Sequence, residues 1–305
     1  MLLKSVMLLG AALFLGAGVA RYWLLGTATR GAMLLGLAGL VALLVASVAD
    51  LRSTLLSVAP TADGALLWRY FTTTGHGAAV QARVVFGLAL AALLAVSGPV
   101  PGPESSRAPG IAFAAGTIGL LGSFSVVSHG AVMGGWWPLV SDLVHFLAAG
   151  AWAGGVVALV VAPLWEPDMR QALVGAVSRL SQLGLMAVVM LAVTGTLTGL
   201  LHARDPGPFL DSTYFVALVV KLALVAVTVV LAALNRFSFL PRLLAGGSAK
   251  PLRAALRVEG VLLVLVLVAT GWLSTTAVPH DMSGAVTDHL DVIGNARRLL
   301  DFLAP

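Results

Sequence analysis

Two histidines, a methionine and an aspartate lie close together in an apolar part of the chain. The segment reads Ser-His129-Gly-Ala-Val-Met133, then Gly-Gly-Trp-Trp-Pro, then Asp142-Leu-Val-His145. Met133 follows His129 by four residues and Asp142 precedes His145 by three, so each pair would share one face of a helix. Imidazole nitrogen and thioether sulfur are ligands that copper accepts. These residue types therefore predict a copper site.

The turn between the two histidines sets their depth. Gly134-Gly135 suits the end of one helix and Pro138 suits the first turn of the next. The midpoint of His129 and His145 lies within this turn, so in an antiparallel hairpin both imidazoles would lie roughly 12 Å from it, at 1.5 Å per residue. The alternative is that each histidine only hydrogen-bonds a neighbouring helix. The cost of an ionisable group inside a span favours a functional site.

The composition is that of a membrane protein. Of the 305 residues, 59% are hydrophobic and 10% are charged, whereas soluble domains carry about 25% charged residues. The mean hydropathy is +1.00. The net charge of +5 is spread over many loops, so it indicates membrane topology and not a nucleic-acid partner. The chain has no cysteine, which excludes disulfides, thiolate ligands and cysteine catalysis.

Apolar runs of about 20 residues predict a polytopic all-α bundle of about eight transmembrane spans. The segment 64–71 is predicted to lie at the membrane interface before the third span. Six of the seven tryptophans fall near span ends, as an aromatic belt predicts, and Trp152 is the exception. The predicted spans are 2–25, 32–56, 78–98, 111–133, 138–163, 180–202, 214–236 and 255–276.

Charge counting places both termini on the external side. Ten lysines and arginines then fall on the internal side and seven on the external side, and five of the ten cluster between Arg236 and Arg257. A cleaved signal peptide at the N-terminus is the alternative and would invert the loops. With both termini outside, all six histidines lie externally or in the outer half of a span, which suggests a metal-handling outer face. Besides the central pair, the accessory metal candidates are His76, His202, His280 and Met282.

The chain is predicted to form one transmembrane domain, residues 1–276, followed by an external tail, residues 277–305. Apolar residues recur at helical spacing in the tail, so it is a candidate interfacial amphipathic helix.

Lys221 lies deep in the seventh span, where pairing with Asp142 or Asp211 would accommodate its charge. Met186 and Met190 in the sixth span are either a soft-metal relay or, as we prefer, core packing.

The span-five pattern His145-x6-Trp152-x-Gly154-Gly155, preceded by Asp142, resembles the copper resistance protein D family of bacterial inner-membrane proteins. The upstream Ser-His129 motif fits the same family. The later spans are also similar to it, through Tyr214 with Lys221, Asn235-Arg236, Pro241-Arg242 and Arg257-x-Glu259.

The resemblance implies copper homeostasis in the inner membrane, with copper, as Cu(I) or Cu(II), moved inward beside a periplasmic copper-binding partner. It assigns His129 and His145 as ligands, to which the spacing adds Met133. Trp152, Gly154 and Gly155 would pack helices behind them. On the hairpin register, Gly122 would lie opposite Trp152 and Gly119 opposite Gly155.

Two other functions fit the same residues. Paired histidines inside a membrane also ligate b-type haem in electron carriers, although adjacent helices only 8–10 Å apart leave little room for it. A copper-delivery assembly factor without transport is the other alternative. No nucleophile–base–acid set is apparent, so we do not expect an enzyme.

Overall fold

The computed structural model describes residues 1–26, 29–96, 107–127, 136–202, 210 and 212–276, and these form helices, turns and loops without a β-strand among them. Helix α1 continues into a π-helical turn, Ala20–Leu25, and α8 continues into another, Asn235–Phe239, that leads to α9. A 3₁₀ turn, Pro167–Met169, precedes α7. The helices are α1 Leu2–Val19, α2 Arg30–Val58, α3 Gly64–Thr73, α4 Gly75–Val96, α5 Arg107–Ser125, α6 Trp136–Val161, α7 Arg170–His202, α8 Thr213–Leu234, α9 Leu240–Leu244 and α10 Lys250–Leu273.

The described helices follow the predicted spans, with shifted ends. Helix α5 ends at Ser125, earlier than the predicted 133, and α7 begins at Arg170, earlier than the predicted 180. Seven segments are long and apolar enough to cross a membrane. They are Leu2–Leu25, Arg30–Val58, Gly75–Val96, Ala108–Ser125, Trp136–Val161, Arg170–Gly199 and Thr213–Leu244. Helix α10, the eighth predicted span, is not among them, so its crossing stays a prediction, as does the external position of both termini.

Hydrogen bonds between helix ends give the bundle two distinct ends. Lys4 at the start of α1 bonds Asp50 near the end of α2, and Ser5 bonds the Val268 carbonyl near the end of α10. At the opposite end, Arg179 near the start of α7 donates to the carbonyl oxygen of Leu24. Helices that alternate in direction explain this arrangement. We call the end with Lys4 the outer end, after its predicted position, and the opposite end the inner end.

Helix α1 lies at the centre, between α2, α6 and α10. Glycines bring its backbone against two neighbours, since a Cβ on Gly10 would lie 2.5 Å from the Gly39 carbonyl oxygen of α2. A Cβ on Gly154 of α6 would lie 2.6 Å from the backbone nitrogen of Gly16. Small residues that permit such approach are typical of helix contacts in lipid. At these glycines, the backbone of α1 therefore contacts the backbones of α2 and α6 directly.

Helix α8 is held differently from the other long helices. It packs on α10 and scarcely touches α7, its other neighbour in the sequence. Large apolar side chains along it are exposed, including Val216, Leu222, Val227 and Val230. An apolar surface of this kind is compatible with contact to lipid.

Candidate metal site

His145 lies in the outer half of α6 and points toward α7. Its Nδ1 lies 2.9 Å from Oγ1 of Thr194. The Thr194 hydroxyl donates its own proton to the Met190 carbonyl oxygen, at 2.7 Å. Since that proton is already used, Thr194 Oγ1 acts as the acceptor and His145 Nδ1–H as the donor.

This hydrogen bond sets the tautomer of the imidazole. With the proton on Nδ1, the Nε2 lone pair is free, and Nε2 has no hydrogen-bond partner among the described residues. Metal-binding histidines are commonly fixed by a hydrogen bond from the other ring nitrogen. Gly195 adjoins the ring, since a Cβ there would lie 3.8 Å from Cε1. His145 is therefore oriented as a one-nitrogen ligand, and Thr194 is its orienting partner.

Two charges lie near this imidazole. Lys221 of α8 acts electrostatically on His145, and Asp142, one turn before His145, acts electrostatically on Lys221. Lys221 and Asp142 therefore interact electrostatically, and their direct pairing stays a prediction. A nearby ammonium opposes cation binding, and the carboxylate offsets it.

The other predicted ligands cannot be placed around His145. His129 and Met133 lie outside the described residues, so their depth and their approach to His145 stay predictions. Among the described residues, no three His, Asp or Glu side chains converge as a metal site would require. His145 is the one member of the predicted ligand set that the structure orients.

His76, an accessory candidate, belongs to a polar cluster at the outer end. Its Nε2 lies 3.4 Å from Oδ2 of Asp50, which also accepts a 2.8 Å bond from Lys4. Tyr70 of α3 meets the His76 ring edge-on, with centroids 6.2 Å apart. Burial and the Asp50 carboxylate raise the pKa of Tyr70. A metal that binds through Nε2 of His76 would have to displace the contact with Asp50, whereas Nδ1 is not used in that contact.

The remaining accessory candidates are less informative. His202 ends α7, and its side chain lies outside the described part of the structure. His280, Met282 and the whole predicted tail, 277–305, lie outside it as well. Their metal-binding role stays a prediction.

The residues behind His145 do pack helices, but against partners other than those predicted. Gly154 faces Ala12 and Gly16 of α1, and Trp152 lies beside Gly184 of α7. The same applies to Gly155, which faces Leu180 of α7 and Val19 of α1.

The predicted opposition of these residues to Gly122 and Gly119 of α5 is therefore wrong. A Cβ on Gly122 would have no neighbour within 4 Å, and Gly119 adjoins Phe86 of α4.

Other expectations also change. Met186 and Met190 are 61% and 44% exposed, so the preferred core-packing reading is wrong. Arg83 of α4 is a buried charge, with 1% of its side chain exposed. Its guanidinium bonds Ser123 and Ser47 and lies 4.2 Å from the Phe124 ring centroid.

The chain is similar to proteins described as copper resistance proteins. The model of the family described as copper resistance protein D matches residues 174–273, which contain Thr194, Lys221 and Glu259. A relative from Pseudomonas syringae pv. tomato, described as copper resistance protein D, is 29% identical over 178 residues. That match covers 52% of this chain and 57% of the relative, so the chain spans little more than half of the relative's length. No solved structure matches the chain significantly.

The family match covers helices α7 to α10 and leaves out His129, His145 and the Trp-x-Gly-Gly pattern. The ligand assignment therefore still depends on the residues themselves. Together with the seven apolar helices, the match describes a multi-pass helical membrane protein. The resemblance found in the sequence is thereby confirmed over residues 174–273, which match the copper resistance protein D family.

Proposed function

We propose that this protein handles copper in the bacterial inner membrane and transports the ion inward from the periplasm. Copper would bind first in the outer half of the bundle, at Nε2 of His145, with His129 and Met133 as the other ligands. A periplasmic copper-binding protein is the natural donor of the ion.

The orientation of His145 is the observation that carries this proposal. Its Nδ1–H bond to Thr194 leaves Nε2 as the free nitrogen, in a half-buried position within the outer half of α6. Neutral imidazole with one bound and one free nitrogen is the form that ligates metal. The copper resistance relative and the family match support copper as the ion.

The distribution of polar residues supports placing the copper site on the periplasmic side. His76, Asp50 and Lys4 lie at the same end of the bundle as His145. Arginines that bond backbone carbonyls, Arg170 and Arg179, lie at the opposite end. Positive charge of this kind is typical of the cytoplasmic side.

The test separates a ligand from a structural histidine. In His145→Asn the shorter amide can still donate to Thr194, in place of Nδ1–H, but no atom replaces Nε2. We expect the purified variant to fold like the wild type, to lose Cu(I) affinity and to lose copper uptake into proteoliposomes. His145→Ala should lose both the helix contact and copper binding.

Unchanged Cu(I) affinity in His145→Asn would contradict the proposed site. Intact copper binding by the wild type without flux into proteoliposomes would favour delivery over transport. A haem absorption band in the purified protein would favour the electron-carrier alternative.

A further inference from the structure

A cavity of about 120 Å³ lies at the inner end, between α6, α7, α8 and α10. Most of its wall is apolar, formed by side chains such as Leu180 and Val188. The polar side chains of its lining include Trp152, Asn235 and Glu259. None of these residues belongs to the candidate metal site.

Glu259 of α10 is 3% exposed, yet its carboxyl contacts no cation among the described residues. Oε1 accepts a hydrogen bond from Nε1 of Trp152 at 2.9 Å. Oε2 accepts a hydrogen bond from Nδ2 of Asn235. Neither Arg236 nor Arg257 forms a salt bridge with Glu259 among the described residues. A carboxyl held only by neutral donors inside a membrane bundle is typical of ion and proton pathways.

The arginines of the surrounding helices have other partners. On α7 and in the π-helical turn after α8 these are backbone or hydroxyl oxygens, so their charge is not shared with Glu259 through a hydrogen bond. Arg257, on α10 itself, is exposed. The contacts are Arg236 to Ser181 Oγ at 2.8 Å, Arg179 to the Leu24 carbonyl oxygen at 3.0 Å, and Arg253 over the Trp165 ring at 5.3 Å. Helix α6 contributes Trp152, which does not titrate.

Asn235 has an amide oxygen that is not used. The residue is 7% exposed, and its Oδ1 has no hydrogen-bond partner among the described residues. The amide offers a donor to a carboxylate, and after a 180° rotation it offers an acceptor to a protonated carboxyl. The same pair of side chains can therefore hold Glu259 in either protonation state. Asn235 begins a π-helical turn, a feature often found at functional sites.

We propose that Glu259 is a proton-binding site, at which the carboxyl takes up a proton from water in the inner cavity and releases it again. In the ionised state Nδ2 of Asn235 donates to Oε2. In the protonated state the carboxyl O–H donates to Oδ1 of the rotated amide. The indole of Trp152 donates to the other carboxyl oxygen and favours the ionised state. This function does not depend on copper binding.

The test is an infrared pH titration of the purified protein between about pH 5 and pH 9, a range reached by buried carboxyls. We expect the wild type to show the C=O stretch of a protonated carboxyl that titrates in this range. Glu259→Gln should lose that band. Glu166→Gln is the matched control, because Glu166 is an exposed glutamate between α6 and α7, and it should keep the band.

A second variant keeps the test decisive if Glu259→Gln folds poorly. Trp152→Phe leaves the carboxyl in place and removes one donor to its ionised form, so the midpoint of the band should move upward by about one pH unit. His145→Asn should leave the band unchanged, which separates this site from the copper proposal. A band that persists in Glu259→Gln, or no titrating band in the wild type, would overturn the proposal.

Discussion

The role of Thr194 can be tested by one isosteric change. Thr194→Val keeps the volume and removes the hydroxyl that accepts from His145 Nδ1. Without that acceptor the imidazole can rotate, and either nitrogen can carry the proton. Loss of such an orienting partner typically lowers metal affinity about 10- to 100-fold, which corresponds to about 1.4 to 2.8 kcal/mol.

Thr228 supplies a matched control within the same bundle. It is fully buried on α8, and its hydroxyl donates to the Leu224 carbonyl oxygen at 2.7 Å. Thr194 makes the same intrahelical bond to Met190 at 2.7 Å, so the two Thr→Val changes differ chiefly in the contact with His145. Cu(I) affinity, measured by competition with a chromogenic chelator, should fall in Thr194→Val and stay at the wild-type value in Thr228→Val. Equal affinities in the two variants would refute the orienting role.

Three further changes test the packing described above. Gly154→Ala should destabilise the protein by about 1–3 kcal/mol, since its Cβ would meet the backbone of α1; Gly122→Ala has open space and should be neutral or slightly stabilising in the same thermal melt. Asp50→Asn removes the charge that holds His76 at 3.4 Å and should cost about 1–3 kcal/mol; an equal loss at high salt would mark the pair as shielded from solvent. Arg83→Ala should cost about 2–5 kcal/mol by leaving a cavity, and Arg83→Met, which fills that volume, should unfold at a temperature closer to the wild type.

The positions of the helices could be predicted because an apolar run of about 20 residues has the length and composition of a transmembrane helix. The segment 64–71 was predicted to be separate from the third span because of Trp68 and Tyr70, and it forms helix α3, whose start Asp63 caps. Its position at the membrane interface stays a prediction. The end of α5 was not, because the apolar run continues past Ser125, where the helix ends. The local sequence pattern predicts that a helix exists more reliably than it predicts the residue at which the helix ends.

The neighbours of each helix could not be predicted from spacing. The preceding span was taken as the packing partner of Gly155, yet Gly155 faces Leu180 of α7 and Val19 of α1. The contact between His145 and Thr194 joins residues 49 positions apart, and that between Trp152 and Glu259 joins residues 107 apart. Trp152 did carry a signal, as the tryptophan inside a span, and its indole N–H needs a buried acceptor.

Helix α8 is attached to the bundle chiefly through one neighbour, α10, unlike α1, α2 and α6. Helices α1, α2 and α6 approach one another closely at their glycines, whereas α8 packs on α10 and has little contact with α7. Lys221 lies in the outer half of α8, and Asn235 directly follows the inner end of this helix. A tilt of α8 would therefore change both the position of the Lys221 charge beside His145 and the hydrogen bond that Asn235 donates to Glu259.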